Sequence, residues 1–160
     1  MIAPLKLLQS ATPVLQQSGA LWAVAGGLSA SFYRHRPRLT NDVDIALHKG
    51  DLVGSKELAI SVIKELGLTS SLGWIATHRV SAEVNNTEVD GTGAAKSTRN
   101  KPASKHPIAL VIGHLGQDSY NSSIDFLLPS LEWVPEAVKR AQFNLIDYRF
   151  AKLPTITPED

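Results

Sequence analysis

The chain has 160 residues, enough for one domain that buries roughly 70% of the surface its unfolded form would expose. Its composition, 43% hydrophobic and 19% charged, is that of a soluble globular protein and excludes disordered, collagen-like and membrane classes. A net charge of +1 gives no overall field toward nucleic acid or anionic lipid, and the lack of cysteine excludes disulfides, thiolate zinc sites and a cysteine nucleophile.

Residues 4 to 18 are leucine-rich and predict a helix, with Pro13 either breaking it or opening a second helix behind Thr12 as cap. Gln9, Ser10, Gln16 and Gln17 interrupt the apolar residues, so neither a signal peptide nor a membrane span is drawn here, and a cytoplasmic protein is expected. Leu21 to Ala25 reads as a buried strand that ends in a tight turn at Gly26 and Gly27, and Ser29 to His35 as a short helix. A strand follows at Asp42 to Leu47, then a helix at Ser55 to Leu66 capped by Ser55 and stopped by Gly67. Short β-type runs at Trp74 to Thr77, Ile108 to Ile112 and Ser123 to Leu128, and a helix at Pro135 to Phe143, complete the pattern. The expected fold is therefore α/β or α+β: a mixed sheet of about five strands flanked by three or four helices, in a single domain spanning 1–160.

The polar stretch 81–107 holds Lys96, Arg99, Lys101 and Lys105 and reads as a long loop or hairpin. Its cations either guide RNA or form a solvated face. None of the five histidines shows the spacing of a zinc site, and the three tryptophans read as core or rim packing.

The chemistry-bearing segment is GGLSASFYRHRPRLTNDVDIAL. Strand alternation points Asp42 and Asp44 to one face and Val43 and Ile45 to the other. Two carboxylates that close repel, and a bound cation relieves the repulsion; an all-oxygen site selects Mg2+ or Mn2+. The glycine pair leaves backbone N–H groups at a helix start for phosphate, with Ser29 as a further donor, Arg38 to neutralise a polyphosphate and Thr40 to fix the loop. Asp125 is a lone acid in the apolar run Ser123 to Leu128 and needs a partner, either a metal or a basic side chain such as Lys139. The bland alternatives are a solvated strand end for Asp42 and Asp44 and a surface arginine for Arg38.

A glycine pair, a variable helix, Asp-x-Asp among apolar residues and a later isolated Asp in a strand resemble the DNA polymerase β nucleotidyltransferase superfamily. The string Arg38-x-Thr40-x-Asp42-Val43-Asp44 is more similar to the AbiEii-type toxins than to the minimal antitoxin-type enzymes. The resemblance spans about residues 21–160. It implies a metal-dependent nucleotidyltransferase that moves a nucleotide from an NTP to a hydroxyl. The acceptor would be an RNA such as a tRNA 3′ end, or a protein, and the enzyme would be the toxin of a toxin–antitoxin pair with an antitoxin partner. It further implies that Asp42 and Asp44 bind both ions and that Asp125 completes the site of the ion activating the acceptor. Gly26, Gly27 and Ser29, with Arg38 and Thr40 nearby, would hold the nucleotide. A nucleotidyltransferase-fold binding module and an antibiotic-modifying enzyme are the competing expectations.

Two departures stand against the resemblance. The connection from Gly27 to Asp42 is longer and more basic than usual, with Arg34, His35, Arg36 and Pro37. Thr157-Pro158-Glu159-Asp160 reads as the start of a helix, and the resemblance implies that such a helix would bear a lysine that helps hold the nucleotide. The expectation is that the chain is truncated there or weak in turnover.

Overall fold

The computed structural model describes residues 4–36, 40–74, 108–114 and 122–160. Four helices and a five-stranded mixed sheet form its body, and a two-stranded hairpin is added near the C-terminus. The strands are β1 (Leu21–Ala25), β2 (Val43–His48), β3 (Thr69–Trp74), β4 (Ile108–His114) and β5 (Ser123–Leu127), in the spatial order β1-β2-β5-β4-β3. Only β2 and β5 run parallel; the other neighbours are antiparallel.

Helix α1 (Pro4–Gln17) is continuous through Pro13. It buries Leu7, Leu8, Ala11, Thr12 and Leu15, a spacing that repeats on one side of a 3.6-residue helix. Thr12 does not cap a new helix. Its hydroxyl donates back to the Leu8 carbonyl at 2.8 Å, and the apolar stripe carries the helix past the amide hydrogen that proline lacks.

Helix α2 (Gly26–Ser31) starts at the glycine pair itself, three residues earlier than expected, and ends before His35. Helix α3 (Leu52–Glu65) also begins early. Its cap is Asp51, whose carboxylate accepts the Gly54 N–H at 2.8 Å. Ser55, expected as the cap, is buried, donating to the Asp51 carbonyl and accepting from Lys49 N–H. Helix α4 (Val134–Ala141) buries Val134, Ala137, Val138 and Ala141 and has Pro135 in its first turn.

The sheet is packed on both faces. On one face Val24, Val43, Ile45, Leu47, Val111, Ile124 and Phe126 meet α1 and α3 in the larger core. On the other face Ala23, Ala25 and Ala46 meet α4 and Ile156, which among the described residues cover it only in part. The small residues at these three positions let α4 lie close to the strands.

The run expected at Trp74 to Thr77 begins earlier, with β3 already paired to β4 from Thr69, and residues 75–77 lie outside the described residues. The stretch 81–107 lies outside them as well. Sequence periodicity misses the hairpin of β6 (Leu145–Asp147) and β7 (Lys152–Pro154), whose strands have three residues each. Asp147 closes it by accepting the Arg149 N–H at 2.7 Å, and Arg149 takes φ of 73°. Tyr148 within it is buried, and that burial pushes its hydroxyl up to about 12 while Thr155 hydrogen-bonds to it. Among the described residues no helix is long and apolar enough to cross a membrane.

Candidate functional site: three carboxylates beside a glycine turn

Asp42 lies one residue before β2, and Asp44 is the second residue of the strand. In the parallel register Asp44 stands opposite Asp125 of β5, and in the antiparallel register it stands opposite Ala25 of β1. Paired residues of neighbouring strands point to the same face. Asp44 and Asp125 therefore share the face that α4 covers elsewhere, at the end where α4 does not reach.

Ser123 links the remaining acid to them. Its Oγ lies 3.1 Å from Asp42 Oδ1 and 2.9 Å from Asp125 Oδ1. His114 of β4 faces Ser123 in register, and Ser71 Oγ sits 2.9 Å from its Nε2. The sequence alone did not single out Ser123, Ser71 or His114 for this corner, because cross-strand register is not encoded in any one strand.

Burial, more than any other influence, holds the Asp44 carboxyl above its ordinary value, and the charges of Asp125 and Asp42 push the same way against a hydrogen bond from the Gly27 N–H. Asp125 is also raised, first by burial; Ser123 and His114 pull it down while Asp42 pushes it up. Negative charge is thus concentrated and poorly hydrated at this corner.

The glycine pair touches the acids directly. A Cβ on Gly26 would fall 1.8 Å from Asp44 Oδ2, and Gly26 takes φ of 58°, so both space and backbone demand glycine. A Cβ on Gly27 would fall 2.9 Å from Thr40 Cβ. Thr40 fixes the approach to β2, its hydroxyl donating to the Asp42 carbonyl at 3.2 Å and accepting the Asp42 N–H at 3.3 Å.

Two expected phosphate donors have partners within the chain. Gly27 N–H points at Asp44, and the buried Ser29 hydroxyl donates to the Ile156 carbonyl at 2.5 Å. Ser29 thereby fastens α2 to the C-terminal segment. Arg38 lies outside the described residues. Lys139, weighed as a partner for Asp125, pairs instead with Glu136 at 2.8 Å.

Beside Gly26 a cavity of about 350 Å3 opens between α2 and the C-terminal segment, lined by Ser29, Tyr33, Arg34, Ile156 and Thr157 among others. Arg34 belongs to the basic connection whose cations were open to a substrate contact, while Tyr33 and Thr157 had no part in the sequence-derived site; the tail is brought to α2 by the pairing of Thr155 and Ile156 with Val24 and by the Ser29 bond to Ile156. The final residues form a turn in which the Asp160 carboxylate accepts from the Thr157 N–H and hydroxyl and also pairs with Arg140, while the Asp160 N–H donates to the Thr157 carbonyl.

The three carboxylates and the Ser123 hydroxyl offer hard oxygen atoms, of the kind that suit Mg2+ or Mn2+, and His114 adds an imidazole nearby. Among the described residues no group of three His, Asp or Glu side chains forms a ready-made cage. The Ser123 hydroxyl lies between Asp42 and Asp125, and Asp44 is hydrogen-bonded by the Gly27 N–H. The donor chemistry is compatible with such an ion. Set beside protein-family models and curated proteins, the chain matches none of them.

Proposed function

We propose that this protein is a metal-dependent nucleotidyltransferase of the polymerase β type, moving a nucleotide from an NTP to a hydroxyl acceptor. The observation that carries the reading is the meeting of Asp42, Asp44 and Asp125 across the parallel β2–β5 pair, directly against Gly26. Bound Mg2+ or Mn2+ would supply charge neutralisation for the attacking and leaving oxygens.

The chain's own residues then divide the work. Asp42, Asp44 and Asp125 would hold the ions. Gly26, with no side chain, lets a polyphosphate approach the acids closely. The adjoining cavity, of a size for a nucleoside and with Arg34 and Tyr33 on its wall, supports nucleotide binding on that side. The acceptor would enter over the uncovered sheet face past Ser71 and His114. RNA and protein hydroxyls both remain acceptor classes under this proposal, and a toxin–antitoxin setting is one context for either.

Calorimetry with each NTP in MgCl2 tests it. The wild-type chain is expected to bind, and the variant carrying Asp42→Ala with Asp44→Ala to show no measurable binding. A wild-type protein that binds no NTP in Mg2+ or Mn2+ sinks the proposal. Incubation of labelled NTP with total RNA, cell protein and aminoglycosides then identifies the acceptor class.

A second reading has its own support. Because Ser123 and Gly27 already satisfy the carboxylates within the chain, a nucleotide-binding module without turnover also fits. NTP binding with no label on any acceptor and no pyrophosphate release would favour it.

A further inference from the structure

Asp42 and Asp125 come from segments far apart in the chain, and Asp42 sits on an exposed approach ahead of β2 where sheet pairing does not hold it. Its described side-chain hydrogen bond is to Ser123. Ser123 opens β5 two residues before Asp125, so strand alternation puts both on one face. It is 9% exposed, and its hydroxyl lies within hydrogen-bonding reach of both acids.

A hydroxyl has one proton and two lone pairs. Ser123 therefore donates to one carboxylate at a time and can alternate between the two, since both lie within its reach. Other described serines use their hydroxyls differently: Ser29, Ser31, Ser55 and Ser130 donate to backbone carbonyls of their own or neighbouring elements. Among the described residues Ser123 is the one hydroxyl set between two carboxylates.

We propose that Ser123 is a positioning residue for the divalent-cation site, its hydroxyl gathering Asp42 onto Asp125 so that both carboxylates are in place when the ion arrives. The inference rests on the nucleotidyltransferase reading for the identity of the ion site. A hydroxyl that orients ligating carboxylates from the side acts on affinity, since partners of this kind typically change metal binding by about 10- to 100-fold when removed. A serine that only satisfied a half-buried carboxyl would affect folding and leave ion affinity alone.

The test is Mn2+ titration of the full chain by calorimetry, for wild type, Ser123→Ala, Ser123→Thr and Ser123→Val, with thermal melting of each in chelator. Thr and Val share a shape and differ by the hydroxyl, so their comparison isolates the donor even if the added methyl perturbs β5. Ser123→Ala and Ser123→Val are expected to weaken Mn2+ binding by about 10-fold or more, with Ser123→Thr close to wild type. Equal or tighter Mn2+ binding by the Ala variant, or equal binding by the Thr and Val variants, overturns the role of Ser123 and leaves the nucleotidyltransferase reading standing. A wild-type chain that binds no Mn2+ overturns both.

Discussion

Asp44 and Gly26 depend on each other at the scale of single residues. The carboxylate fills the space where any other residue at position 26 would put its Cβ, and the adjacent Gly27 N–H is its hydrogen-bond donor. Burial and the neighbouring acids nevertheless raise Asp44 above its value in an unfolded chain. A carboxyl raised in the folded state leaves stability intact below the ordinary Asp range, near pH 4, and takes it away as pH climbs through the raised value. Asp44→Asn keeps an acceptor for Gly27 and removes the charge. In metal-free buffer it is expected to raise Tm at pH 7 by about 2–4 °C, the shift produced by about 1 kcal/mol in a chain this long. The gap should close below about pH 4, where the wild-type carboxyl is protonated. Melting curves across pH check it, and a variant less stable than wild type at pH 7 refutes it.

Among elements, α1 and α2 each depart from local expectation for a definable reason. Proline inside a helix costs about 3 kcal/mol in the open, through its missing N–H and its ring. In α1 the burial of Leu7, Leu8, Ala11 and Leu15 outweighs this, each leucine contributing about 1.5–3 kcal/mol when fully covered. Pro13→Ala should accordingly stabilise the protein by about 1–2 kcal/mol in urea unfolding, less than the full cost because proline also restricts the unfolded chain. A destabilised variant would mean that Pro13 makes a packing contact of its own. Helix α2 has the opposite problem: it is six residues long, too short to persist without tertiary anchors. The Ser29 bond to Ile156 is one anchor, and the tail it holds also bridges β1.

For the whole molecule, the decisive feature is that among the described residues α4 covers only part of one sheet face. The remainder of that face presents acids and hydroxyls where the covered part presents alanines. If the acids hold Mn2+, the ion binds the folded chain and not the unfolded one, and mass action stabilises the fold by about 2.7 kcal/mol at 100 times the dissociation constant. Tm should rise with MnCl2 in the wild type and stay flat in the variant with Asp42→Ala and Asp44→Ala. A wild-type Tm indifferent to Mn2+ argues against an ion site at this corner.

Read from the sequence, β1 had its observed limits, β4 and β5 were found within two residues, and α3 was placed with its start three residues late. Apolar runs bounded by glycine and alternation over four to six residues are local signals, and side-chain period alone put Asp42 and Asp44 on one side. The same residues could not say that β2 would run parallel to β5, that Asp44 would face Asp125, or that Ser123 would stand between Asp42 and Asp125. Register is set by which apolar faces pack together, and here the packing of Ile45 and Phe126 under α1 and α3 fixes it. The need for glycine at the start of α2 is likewise tertiary, because Asp44 and Thr40 occupy the space that side chains at positions 26 and 27 would fill. The cavity beside them exists only because a tail more than a hundred residues later in the chain pairs with β1. Sequence determined which side chains were chemically able to bind an ion and a phosphate; tertiary packing alone decided that three carboxylates, a hydroxyl and a glycine turn meet at one corner.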